Sequence, residues 1–285
     1  DSPSVKQEHL HAAIKFVEES GQDFYRILNQ ERNFQKFAKF VSSQPEKEFT
    51  HADLLADLPY YPNSEVKRRE LLTLATSWGY KNNAIIKRRY EDGIELISGD
   101  SLKETSLDQL IVSASSQITE NYQPKITTFD KIAKFTQNVG KNMCSHHFVD
   151  NYRLEANALP DFNTIYIDVD GTETIERFEK LFSDYQYILY TTKSHTDKSN
   201  RFRVIFPTSH VLRLSSEEFV EFMSAIYDWL PFDVDDQTSQ RNRKWACHSM
   251  ELRTNEGKLL DVLPFIPRTS KNDQRIQKNK ELKNL

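Results

Sequence analysis

Apolar positions recur at helical spacing from residue 6 to about 42, in HLHAAIKFVEE and RNFQKFAKFVSS, with Ser20-Gly21 as a break between them. This predicts a small helical region over 1–48. Thr50, with Asp53 three residues later, predicts the cap of a short helix that Pro59 and Pro62 close. Ser64 predicts the cap of a second helix through about Trp78, ended by Gly79. AIIKRRY and IELIS flank Glu91-Asp92-Gly93, a hairpin signal. SLDQLIVSASSQITE then predicts another helix, and ENYQPKI a linker near 120 to 126. From TTFDKIAKF onward strands and helices alternate. TIYIDVD, YQYILYTT and RFRVIFPT are predicted strands; TETIERFEKLFSD and SSEEFVEFMSAIYDWL are predicted helices. A last strand pair is expected near MELRTN and KLLDVLPFI. The polar, net basic SKNDQRIQKNKELKNL reads as a linker or frayed end. The expected organisation is an α+β chain: a helical region over 1–48, a second region over 49–120, a main domain over 125–266 and a tail over 267–285.

Composition narrows the classes. A chain of 285 residues suits two domains, or one with a large extension. No apolar run approaches the roughly 18 residues of a membrane span, and the N-terminus lacks a signal-peptide pattern. Two cysteines, Cys144 and Cys247, are too few for a disulfide framework, so an intracellular protein is expected. Eighteen Phe and 12 Tyr argue for packed structure. With a net charge of −4, any nucleic-acid contact must use local basic patches.

Two such patches fall in 49–120. The second helix carries Lys67, Arg68 and Arg69, and the hairpin carries Lys87, Arg88 and Arg89. Helix, turn, helix and hairpin resembles a winged helix in element order, and in that fold these elements meet DNA. A charged, solvated face on a packing module is the alternative.

Residues 164 to 170, TIYIDVD, pose a sharper question. Side chains at i and i+2 of a strand share a face, so Asp168 and Asp170 would repel each other at its end. A divalent metal, an Arg or Lys, or a shared proton would relieve them. Deleting either carboxylate is expected to relieve the repulsion in the metal-free protein, so stability should hold or rise.

Three segments follow one another in order: IDVDG, KSHTDKSNRFRVIFP and DDQTSQRNRKW. Together with the preceding NYRLEANALPDFNTIYID they resemble the archaeo-eukaryotic primase superfamily, in particular the primase-polymerases of phage and plasmid replication. The resemblance covers about 125 to 266. It implies an α+β catalytic core with a mixed or antiparallel sheet and flanking helices, acting as a primase and/or DNA polymerase; a core of this kind that has lost catalysis and serves as a DNA-binding replication module is an alternative. Asp168, Asp170 and Asp235 would be the catalytic carboxylates and would hold Mg²⁺ or Mn²⁺, hard cations that take oxygen ligands. Asp233 and Asp236 are neighbours; Asp235 keeps the family's spacing to Arg243. Lys193, Ser194 and His195 would face the incoming triphosphate, helped by Arg201, Arg203 and Arg243. The implied partners are a DNA template, NTP and/or dNTP, and a replicative helicase, with no membrane.

Other constellations weigh less. Cys144, His146 and His147, with distant Cys247-His248, suggest zinc without a second cluster at finger-like spacing. The adjacent histidines fit poorly the alternating pair of rolling-circle nucleases. The rival is a phosphatase: Asp168-Val-Asp170-Gly171-Thr172 also resembles the first motif of the haloacid dehalogenase family, with Asp168 as nucleophile, Asp170 as acid/base, Thr191 ending the next strand and Asp235-Asp236 as the late acidic pair.

Overall fold

The computed structural model describes residues 6–28, 30–235, 238–248 and 250–283. Among them the chain forms eight α-helices, and every ladder between named strands is antiparallel, so the fold is mixed α+β. No described helix is long and apolar enough to cross a membrane.

Helix α1 (Gln7–Leu28) runs through Ser20-Gly21, where a break was expected. One glycine costs a helix about 1 kcal/mol, too little to end it. Helices α2 (Asn33–Ser42), α3 (His51–Asp57) and α4 (Glu65–Lys81) pack with the hairpin β1 (Ala84–Glu91) and β2 (Ile94–Ser101). Their shared core includes Phe37, Val41, Phe49, Leu54, Leu72 and Ile97. The division expected at 48 therefore cuts through one packed unit, because α2 has no other apolar face to bury against. Two local signals here hold, although α4 continues two residues past Gly79, where it was expected to end, and its N-cap Ser64 makes no side-chain capping hydrogen bond. Thr50 Oγ1 accepts from the Asp53 amide at 3.2 Å, and Asp53 accepts from the Thr50 amide at 2.8 Å. Asp92 and Gly93 both take positive φ, 50° and 79°, as a two-residue hairpin turn requires. Between α2 and α3, Phe49 forms a single antiparallel bridge to Ile97.

Strand β1 is a seam. Ile86 enters the N-terminal core, while its neighbour Ile85 joins Leu102 in the core of the larger body. The alternation of a strand sends successive side chains to opposite sides. Lys87 follows Ile85 across the seam and ion-pairs with Glu218 at 2.8 Å, both side chains about nine-tenths buried.

The larger body begins at β3 (Lys103–Glu104), ahead of the 125 expected. SLDQLIVSASSQITE supplies β4 (Leu110–Ser115), not a helix: all six residues are buried, and a short continuous apolar run carries no period to separate strand from helix. ENYQPKI supplies the edge strand β5 (Gln123–Thr127), not a linker, with Pro124 at an edge as its missing N–H demands. Helix α5 (Phe129–Phe135) and β6 (Asn142–Cys144) follow. The second sheet contains β7 (Asp161–Asp170), β8 (Tyr187–Thr191) and β9 (Arg201–Arg213), with β9 between the other two. Helix α6 (Ile175–Leu181) intervenes between β7 and β8, and α7 (Ser216–Tyr227) follows β9. Strand β10 (Trp245–Ala246) returns to β6, and β11 (Leu252–Asn255) pairs with β8. KLLDVLPFI forms isolated bridges and a 3-10 turn, not the expected strand.

Alternation divides the second sheet cleanly. Ile165, Ile167 and Val169 of β7 with Phe202, Val204 and Phe206 of β9 pack on α6 and α7. Tyr166, Ile188, Tyr190 and Ile205 face the first sheet, where Tyr166 stacks on Trp245 at 5.3 Å. The expected tail is the helix α8 (Ser270–Lys283), docked where Arg275 lies 5.4 Å over Phe265 and Lys271 lies 4.7 Å over Tyr80.

Candidate functional site

The register of β7 against β9 sets Asp168 opposite Arg203 and Asp170 opposite Arg201. All four belong to the face that looks toward the first sheet, at the end of the strands. Arg203 Nε stands 3.3 Å from Asp168 Oδ1, and Arg201 Nη1 stands 2.8 Å from Asp170 Oδ1. Arginine thus answers the carboxylate repulsion in this state. The inner rung is largely buried, 17% and 18% exposed; the outer is open, at 54% and 39%. Burial disfavours the Arg203 cation, but Tyr190 and Asp168 beside it hold its pKa above the usual value. Arg203 also donates to the Ala246 carbonyl at 2.9 Å and lies 5.6 Å over Trp245.

Asp235 arrives from the loop after α7. Its amide donates to the Asp168 carbonyl at 3.3 Å, and its carboxylate lies 3.5 Å from Arg243. Thr238 Oγ1 donates to the Asp235 carbonyl at 2.6 Å, closing the turn that the Asp-x-x-Thr spacing encodes. Asp236 lies outside the described residues. Gly171, at φ 82°, turns the chain beyond Asp170, and Thr172 donates to the Asp233 carbonyl at 2.5 Å. Gly-Thr after Asp-x-Asp therefore shapes a turn.

The segment between β8 and β9 folds back on itself, with the Thr192 amide bonded to the Arg201 carbonyl at 2.9 Å. His195 Nδ1 accepts the Arg201 amide at 3.1 Å. That bond puts the proton of the neutral ring on Nε2, leaving a donor on the far side. Asn200 accepts from the Ile175 amide at 3.0 Å and so ties this turn to the start of α6.

A cleft of about 260 Å³ opens here, lined by Asp168, Asp170, Arg201, Arg203, Lys193 and Ser194, with Thr192, Ala246 and His248 completing the wall. Asp235 and His195 stand outside the lining. His248, named above only beside the zinc candidates, lines the same cleft as the acid pair, and its Nδ1 is buried with no hydrogen-bond partner among the described residues. Nothing local in ACHSM signals this, since the fold alone brings β10 across the cleft. The largest cavities, about 570 and 790 Å³, lie elsewhere, one on the N-terminal unit and one between it and α8, but the convergent acidic and basic groups mark the smaller one.

For a metal, the donor chemistry suits hard cations: the acids offer only carboxylate oxygens. Asp168 and Asp170 open on one cleft with Asp235 alongside, although no three described His, Cys, Asp or Glu side chains stand close enough to share one ion. The cysteines do not suit zinc, because burial pushes the Cys247 thiol up to about 12 and the Cys144 thiol higher still. His146 is fully buried between Phe162 and Phe219, its pKa driven down to about 3 by burial, while His147 Nε2 lies 3.2 Å from the Lys125 carbonyl. The two histidines share no site.

The expected DNA-binding residues separate into two groups. Lys87 is buried against Glu218 and has no access to a phosphate, which corrects its assignment. Arg88 pairs with Glu95, and Arg89 is gripped by Glu48 and Glu91. On α4, Lys67 is exposed, Arg69 makes an exposed pair with Glu65, and Arg68 is half-buried.

Comparison with protein-family models, with curated proteins and with solved structures finds no match to this chain.

Proposed function

We propose that this chain is a metal-dependent nucleotidyltransferase that acts in DNA replication as a primase and/or DNA polymerase. The observation that carries the reading is the facing register of Asp168-x-Asp170 and Arg201-x-Arg203, with Asp235 hydrogen-bonded to the same strand. Acids that collect metal and arginines that collect phosphate then share one cleft, as transfer to an α-phosphate needs. Mg²⁺ or Mn²⁺ held by Asp168 and Asp170, with Asp235 alongside, would supply positive charge to the attacking and leaving oxygens. Lys193 and Ser194 meet the triphosphate at the mouth, and His195 donates to it through Nε2. Arg201, Arg203 and Arg243 neutralise the carboxylates and offer the forked donors that phosphate accepts.

The sequence α2, Phe49 bridge, α3, α4 and hairpin is the order of a winged helix, and we read it as the element that holds the template. Its DNA contacts rest on α4, at Lys67, Arg68 and Arg69, since the hairpin cations are engaged. NTP or dNTP and a DNA template are the substrates, and a replicative helicase is a fitting partner.

A primed-template extension assay beside a template-only assay, each with NTPs or dNTPs and Mg²⁺ or Mn²⁺, tests the activity. Strand growth is expected; phosphate release from a generic phosphomonoester without strand growth would establish the phosphatase instead. His195→Ala should weaken nucleotide use while affinity for bare template stays unchanged. A parallel fall in both would make His195 a folding residue.

A further inference from the structure

Beside the acid cleft lies a second one of about 410 Å³, and Arg203 and Ala246 belong to the walls of both. Its other lining residues are Arg153, Gln240, Asn242, Arg243 and Lys244. Four cations and no carboxylate face this space. Two of the four look back toward acids, Arg203 to Asp168 and Arg243 to Asp235. The remaining two have no acidic partner among the described residues. Arg153 donates at 2.7 Å to the carbonyls of Ile118 and Asn242, which orient the guanidinium without cancelling its charge. Lys244, half-buried, has no ion-pair partner among the described residues.

The wall is held rigidly. Glu155 accepts from Arg241 Nε at 2.7 Å and from the Asn242 amide at 3.2 Å, and the Cys144 thiol donates to the Arg243 carbonyl at 3.1 Å. A half-buried lysine with no acid beside it, next to an arginine held in place by carbonyls, gives the cleft a net positive charge that an anionic ligand can neutralise. Trp245, the aromatic residue of this loop, is 3% exposed and packed on Tyr166, so it offers no face to a base. A ligand would be read by its phosphates and not by its bases.

We infer that this basic cleft binds the phosphodiester backbone of a nucleic-acid strand and leads it into the acid pair, separately from the mouth at Lys193 and Ser194 that meets the nucleotide. The inference rests on the nucleotidyltransferase reading for its purpose, but its geometry stands apart from it. Binding is sequence-independent, and Lys244 neutralises one phosphate.

The test uses the full chain and a fluorescently labelled oligodeoxythymidylate, titrated across a KCl series. Lys244→Ala should lower the magnitude of the log–log salt slope by roughly 0.7 and weaken binding roughly fivefold at 0.1 M salt, the counterion share of one phosphate. Lys244→Arg should restore the slope. Lys180→Ala removes the same charge from exposed α6, on the opposite face of the sheet, and should leave the slope alone. Affinity of Lys244→Ala for Mn²⁺–dATP without a strand should match the parent. A Lys244→Ala slope equal to the parent's would overturn the inference, as would nucleotide affinity falling as far as strand affinity. If the parent binds the strand through Lys244 yet extends no primer, the cleft stands and the catalytic reading falls. If it extends primers with a slope indifferent to Lys244, the reverse holds.

Discussion

Arginine pairs with carboxylate on two antiparallel strand pairs in this molecule, with opposite consequences. In the hairpin, Arg88 pairs with Glu95 and Arg89 with Glu48 and Glu91, so each cation has acids of its own and the charges close on themselves. At the end of β7 and β9, Asp168 and Asp170 lie on one face over an open cleft, and their arginines are shared with a wall that also carries Lys193 and His248. A run of basic residues therefore says little until its counter-charges are placed. What separates a site from an ion-paired surface is convergence of like charges on an accessible space.

The sharpest way to break this contrast is to delete the acids. Asp168→Ala and Asp170→Ala should each abolish strand extension, and retained activity in either would remove the site. Their stabilities should differ. Repulsion alone would favour the deletions, yet Asp168→Ala strands the largely buried Arg203 and should cost about 1–3 kcal/mol. Asp170→Ala, on the open rung, should stay within about 1 kcal/mol. Denaturant unfolding of both variants decides it.

Next in size is the seam. Lys87→Ala leaves Glu218 buried and unpaired, so a loss of about 3–5 kcal/mol is expected. Lys87→Met with Glu218→Gln should recover most of it, because the amide retains the cap to Ser215 and no bare charge remains. Salt-dependent DNA binding by this lysine, with unchanged stability on its removal, would refute the buried pair.

Acid separates the regions more gently. Arg89 holds the Glu48 carboxyl below its usual pKa. Glu95 is raised by burial but lowered further by Arg88, for a net fall. A depressed carboxyl stabilises the fold above its unfolded pKa, near 4.5, and that contribution disappears as pH falls through the folded value. Protection factors of the β1 and β2 amides, corrected for the intrinsic exchange rate, should fall below about pH 4.5, and Arg89→Ala should lose this dependence on Glu48.

The smallest effect belongs to α4. Neutralising Lys67, Arg68 and Arg69 should lower the salt slope of duplex binding by roughly 0.9 for each phosphate these side chains touch, while Arg88→Ala with Arg89→Ala should leave it unchanged. Equal slopes for the α4 variant and the parent would reduce the N-terminal unit to packing.

The sequence by itself determined what short-range physics controls. The Thr50–Asp53 cap, the Asp92-Gly93 turn and the alternation in TIYIDVD and RFRVIFP depend on neighbours a few residues apart, and each was legible before any fold was known. The buried strand LIVSAS, the edge strand in ENYQPKI and the docked helix of the tail were not, because their conformation is decided by surfaces they pack against and not by their own period. Tertiary structure alone faced Asp168 with Arg203, buried Lys87 against Glu218, carried His248 into the wall of the acid cleft and set Lys244 in the cleft beside it. Charge is written in the sequence, but its worth depends on the distance to the opposite charge and on the water between them, and only the folded chain sets both.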